Sequence, residues 1–152
     1  MPNILIKIPA GSFGGDARAS LLHHVTDAAA TAEQIPPSPK NRFTTWVVIE
    51  ECLPGLWACG GVDMSTQVMP CIAIAYVPAG VLDEPARAQY VQLLHAAFQQ
   101  ALPGSEQRQL MTSVILQDVS DGSWGGNGTI WTLPALAKQA GYAHLQNLVA
   151  TV

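Results

Sequence analysis

The sequence predicts an α/β (α+β) fold of two tandem β-α-β units, giving a four-stranded sheet with two helices on one face and a C-terminal helical extension. Internal repetition carries this prediction. Pro2-Asn-Ile-Leu-Ile-Lys-Ile-Pro-Ala-Gly11 returns as Pro70-Cys-Ile-Ala-Ile-Ala-Tyr-Val-Pro-Ala-Gly80, one residue longer. Thr45-Trp-Val-Val-Ile-Glu-Glu51 matches Thr112-Ser-Val-Ile-Leu-Gln-Asp118 at an offset of 67, and Gly55-Leu-Trp57 with Gly61 matches Gly122-Ser-Trp124 with Gly128 at the same offset. Three matches in one order define a single domain over 1–152, with repeats at 2–64 and 70–131 and an extension at 132–152.

Each element has a local reason. Residues 3–8 and 71–77 are short, β-rich runs ended by Pro-Ala-Gly, which breaks either periodic structure. Asp16 is placed to cap a first helix whose stripe is Leu21, Leu22, Val25, Ala28, Ala29 and Ala32. In the second unit Asp83 caps and Pro85 falls in the first turn; Tyr90, Val91, Leu94, Ala97, Phe98 and Ala101 form the stripe. Strands at 45–51 and 112–118 follow loops with Pro36-Pro37-Ser38-Pro39 and Pro103-Gly104, and a crossover of this length makes the two strands of each unit parallel. The tail, 134–149, is helical with a break at Gly141. With both helices on one face, the other face of the sheet is left bare. Sheets with parallel strands are normally covered on both faces, so several copies are expected to pack these faces around an axis.

Composition narrows the function. The chain has 152 residues, 49% hydrophobic and only 12% charged, which excludes a disordered or coiled-coil protein. A net charge of −4 without any basic cluster argues against nucleic acid and membrane surfaces as partners. The longest apolar stretch, Met69 to Leu82, contains Pro70 and Pro78 and is too short to span a bilayer. No secretory leader is apparent at the start, and Cys52, Cys59 and Cys71 form no C-x-x-C pair, so a cytoplasmic protein with reduced thiols is expected. Gly11-Ser-Phe-Gly-Gly15 lacks the spacing of a phosphate loop. His23 and His24 are adjacent and cannot face one metal from a helix, while His95 and His144 carry no pattern, so neither metal nor cofactor is expected.

Chemistry points to the amino terminus. Proline follows the initiator Met, and removal of Met1 would leave Pro2 as a secondary amine. Such an amine is a general base if a dry pocket or a neighbouring cation lowers its pKa. A strand opening with proline, a helix, a second strand and a Gly-x-aromatic-x-x-x-Gly tail resembles the tautomerase superfamily, in particular fused two-unit members similar to 4-oxalocrotonate tautomerase and cis-3-chloroacrylic acid dehalogenase. The similarity spans 2–64 and 70–131; its best segment is Val47-Val-Ile-Glu-Glu-Cys-Leu-Pro-Gly-Leu-Trp-Ala-Cys-Gly-Gly61. The resemblance implies a β-α-β fold, a homotrimer, a small-molecule substrate and Pro2 as the catalytic residue, with Pro70 as an acylated duplicate.

The sequence departs from that family where arginines usually hold a substrate carboxylate. The matching positions are Ser12, Val81, Trp46 and Ser113, none of them cationic, and a family helix histidine falls at Ala29. Proton transfer beside a carbonyl asks least of such a site. The expected activity is therefore a cofactor-independent tautomerase or isomerase acting on an enolisable 2-oxo acid or related carbonyl compound. The alternatives are an inactive structural or binding trimer, and a dehalogenase or decarboxylase of a three-carbon acid. Trp124 is the expected substrate wall or, equally, a hairpin contact; Trp57 is its duplicate. Asn127 is an enolate donor or a turn residue, and Arg42, beside Lys40, is a reach-in cation or a solvated loop charge.

Overall fold

In the computed structural model, which describes residues 1–149, strict alternation builds the first strand, β1 (Asn3–Pro9): Ile4, Ile6 and Ile8 are fully buried, while Asn3, Leu5 and Lys7 are half-buried on the opposite side. The last three residues of the expected extension, 150–152, lie outside the described part. Helix α1 (Asp16–Ala32) and a short α2 (Pro39–Arg42) lead to β2 (Trp46–Cys52), which pairs parallel with β1. The second unit repeats the pattern with β3 (Val68–Pro78), α3 (Glu84–Ala101) and β4 (Gln109–Val119), the strands again parallel. The sheet order is β2-β1-β3-β4. The two units meet antiparallel, Asn3 opposite Tyr76 and Lys7 opposite Ile72, so β1 and β3 start at opposite ends of the sheet.

Small residues decide how the helices lie. Ala28, Ala29 and Ala32 of α1 and Ala97 and Ala101 of α3 are buried, allowing the two helices to pack closely over one face. That packing narrows the buried stripes: Leu22 is only half-buried and Val91 is 41% exposed, both outside the core expected for them. The cap of α1 also differs from expectation. Gly15 occupies the N-cap and Asp16 is the first helical residue, where its charge still meets the positive end of the helix. Asp83 caps α3 as expected, its side chain accepting from the Ala86 amide at 2.9 Å. Strands β3 and β4 begin three residues before the runs read from sequence. Pairing with β1 ends at Ile72, so Pro70 lies where β3 has a single neighbouring strand and its missing N–H is tolerated.

A hairpin, β5 (Trp124–Gly126) and β6 (Thr129–Trp131), follows β4. Helix α4 (Leu133–Ala140) then buries Leu136, Ala137 and Ala140 in the core and stops at Gly141, in the left-handed conformation at φ 73°. A 3-10 turn (Ala143–Leu145) and α5 (Gln146–Val149) complete the described chain. The tail fastens to the end of α1: Ala143 N–H donates to the Gln34 carbonyl at 3.0 Å, and Tyr142 is fully buried. The second face of the sheet stays uncovered by the chain's own helices. It presents Trp46, Val48, Met111 and Ile115 exposed, with Leu5, Ile72, Ile74 and Tyr76 half-buried between them. No described helix is long and apolar enough to cross a membrane.

Candidate active site

The amino terminus opens onto a cavity of about 180 Å³ whose walls come from both units. Met1 and Asn3 contribute from the start of β1, Phe43, Thr44 and Trp46 from the entry to β2, the hairpin residues Trp124 to Asn127 and Trp131 from the second unit, and Gln139 from α4. This arrangement follows from the antiparallel junction of β1 with β3, which brings the end of β4 and its hairpin to the start of β1. Trp124 is 8% exposed and forms a firm wall. Trp131 packs against Gly126, donating its indole N–H to the Gly126 carbonyl at 3.2 Å; a Cβ at 126 would stand 3.3 Å from that nitrogen. Asn127 is the turn residue at φ 51° in the hairpin, and it lies on the cavity wall. None of the lining side chains is charged.

The other candidates lie elsewhere. Trp57 borders a separate cavity of about 120 Å³ near the start of β4, together with Cys52, Asp63, Ser65 and Arg108. Arg108 is committed there, with Nε and Nη2 on the two Glu106 carboxylate oxygens at 2.8 and 2.7 Å and Nη1 on the Ser65 carbonyl at 2.9 Å. Arg42 lies on α2, paired with Asp27 of α1, and does not line the cavity at the amino terminus. His23 also reaches Asp27 (3.2 Å), His95 meets the Thr112 hydroxyl (2.8 Å) and His144 meets the Val81 carbonyl (2.8 Å). Among the described residues no cluster of three or more metal-ligating side chains occurs.

Pro2 is buried, and its carbonyl accepts from the Trp46 amide at 3.0 Å, fixing the entry to β1. Met1 precedes it here, so the Pro2 nitrogen is an amide and the free amine belongs to Met1. That ammonium donates to Glu33 Oε2 at 3.2 Å and touches the Tyr142 hydroxyl. Glu33 is fully buried at the end of α1, and its Oε1 accepts from the Tyr90 hydroxyl at 3.1 Å. Burial lowers the pKa of the amine, with Glu33 working against that effect. Burial likewise raises the pKa of the Glu33 carboxyl, opposed by the amine, Tyr90 and His144. The Tyr90 phenol is pushed well up, by burial first and by Glu33 second.

Sequence reasoning missed Glu33, Tyr90 and Tyr142. A signal existed for Glu33. It stands four residues beyond Ala29 and eight beyond Val25, so an acid continues the apolar stripe of α1. Tyr90, which bonds Glu33, and Tyr142, which touches the amine, had no such signal, being 57 and 109 residues from Glu33 in the chain.

No protein-family model and no curated protein matches this sequence. Solved structures do. A fused 4-OT in a symmetric trimer superposes with a TM-score of 0.66 at 18% identity, covering 92% of this chain and 97% of that one. Pt0534 inactivated by 2-oxo-3-pentynoate gives 0.67 at 18% identity, over 84% and 94% of the two chains. This chain has the fold of these fused 4-OT and Pt0534 structures. FG41 malonate semialdehyde decarboxylase inhibited by 3-bromopropiolate shares the same fold, with a TM-score of 0.62 at 14% identity over 84% and 91% of the chains.

Proposed function

We propose that this chain is a cofactor-independent tautomerase or isomerase that works, once Met1 is removed, through Pro2 as general base on an enolisable 2-oxo acid or related carbonyl compound. One observation supports it above the others: in a fold shared with fused 4-OT, Met1 and Asn3, the residues on either side of Pro2, line the same cavity as Trp124, Asn127 and Trp131. The neutral prolyl nitrogen removes a proton from the carbon beside the carbonyl. The Asn127 amide is the donor for the developing enolate oxygen, and the same proton returns at oxygen or at a distant carbon. Trp124 holds the flat conjugated skeleton. Trp57 and Arg42, directed elsewhere, have no part in this scheme. The bare apolar sheet face, together with the fused 4-OT trimers of the same fold, supports a homotrimer.

A second reading has its own support. The cavity offers no cationic side chain to a carboxylate, which favours a binding or structural trimer without turnover and counts against a dehalogenase or decarboxylase of a three-carbon acid. Intact mass establishes whether the chain starts at Met1 or Pro2. Ultraviolet-monitored ketonisation of the enol of phenylpyruvate, compared between wild type and Pro2→Ala, then decides the activity. A Pro2-initiated wild type well above Pro2→Ala is the expected result; equal rates refute the proline mechanism, and absence of turnover over several enols leaves the binding trimer.

A further inference from the structure

Glu33 is the only charged side chain among the described residues that is buried, and its position is costly twice over. A carboxylate inside protein loses its hydration. At the C-terminal end of α1 it also faces the negative pole of the helix. Neither the sheet nor the packing of the helices requires an acid there, because the alanines of the same stripe fill that role four and five residues earlier. What balances the charge comes from two other segments: the terminal amine ahead of β1, which also touches Tyr142 of the tail, and Tyr90 of α3. Both carboxylate oxygens are used, one by the amine and one by Tyr90. His144 is the further titratable group acting on this carboxylate from the tail.

We propose that Glu33 is the counter-ion and positioning residue of the chain's terminal amine, aiming it and holding a proton on it between turnovers. The inference rests on the reading that this amine is the reacting group. It applies to a chain starting at Pro2 because bond lengths keep successive backbone nitrogens within about 3.7 Å of each other. The Pro2 nitrogen therefore remains within the field of the carboxylate after Met1 has gone, held by the bond between the Trp46 amide and the Pro2 carbonyl. Tyr90 fixes the carboxylate by its hydrogen bond, and the Tyr142 hydroxyl is the other group that touches the Met1 amine. The amine must release its proton before acting as a base, so Glu33 moves the rising limb of the pH–rate profile to higher pH.

The test is a titration of the full-length assembled protein, its first residue defined by intact mass, with ¹⁵N in that residue and ¹³C in the glutamate carboxyl groups. In wild type the terminal nitrogen and the Glu33 carboxyl carbon are expected to respond at common midpoints. In Glu33→Gln, which keeps a side chain able to meet Tyr90 but removes the charge, the nitrogen is expected to titrate at lower pH, and the rising limb of kcat/KM shifts the same way. Glu33→Asp, with the charge restored, is expected to move both back towards wild type. An unmoved nitrogen midpoint in Glu33→Gln, or a Glu33 carbon silent through the amine transition in wild type, overturns the proposal. The second criterion needs no variant to fold. A protein without turnover refutes the proposed activity while the titration still decides the role of Glu33.

Discussion

Replacing Gly141 by alanine tests how firmly the tail is fastened over the amino terminus. Gly141 ends α4 at φ 73°, a conformation that costs a residue bearing Cβ about 1–2 kcal/mol. The new Cβ would stand 2.6 Å from Asn41 Nδ2 and 3.4 Å from Pro36 Cδ, so the Asn41 side chain has to turn aside. Doing so breaks its 3.4 Å contact with the Gln139 carbonyl and its bond with the Ser38 hydroxyl, a further loss of about 1 kcal/mol. The total of about 2–3 kcal/mol corresponds to a fall of about 4–12 °C in apparent Tm for a chain of this size. Thermal unfolding followed by circular dichroism at fixed protein concentration measures it. Gly14→Ala, where the added Cβ meets open space and φ is not in the left-handed range, is the control and should stay within about 0.5 kcal/mol. A Gly141→Ala protein that melts with wild type refutes the account of the tail as tightly seated.

Other consequences are equally open to measurement. Trp124→Ala should lower kcat/KM about tenfold, the equivalent of about 1.4 kcal/mol of lost contact, whereas Trp57→Ala at the other cavity should change it much less; equal effects would remove the distinction between the two cavities. Ile115→Glu places a charge in the middle of the bare face and, if that face closes the proposed trimer, should shift sedimentation towards the 16.1 kDa chain. Glu106, held down to about 2 by its hydrogen bonds with Arg108, contributes stability that is fully present above the ordinary carboxylate value of 4.5 and is lost as pH falls towards 2. Urea midpoints should therefore fall more between pH 5 and pH 3 in wild type than in Glu106→Gln, and parallel curves would count against that pairing.

The elements were legible because their causes are local. Alternation of Ile4, Ile6 and Ile8, the Asp83 cap and the break at Gly141 each act within a few residues, and repetition at an offset of 67 shows them twice. Trp124 and Asn127 stood out from the hairpin motif, and the fold brings them to the start of β1. Less visible was anything depending on what crosses the chain. Arg42 looked free to reach a pocket until Asp27, 15 residues back on α1, was seen to hold it. Glu33 did not stand out because its partners, the Met1 amine and Tyr90, come from elements whose placement no local pattern describes. Leu22 and Val91 were assigned to the core by period alone, and the close approach of the alanine-rich helices left no room for them there.

The cavity at the amino terminus draws Asn3 and Trp46 from one repeat and Trp124 and Trp131 from the other. Were the repeats separate polypeptides, that enclosure would exist only when two molecules met, and it would vanish on dilution. Tethered in one strand of peptide, the two halves meet at an effective concentration that no dilution alters. Joining them also lets the two ends of the sheet differ: one carries this opening beside the first residues of β1, and at the other Pro70 lies inside continuous backbone.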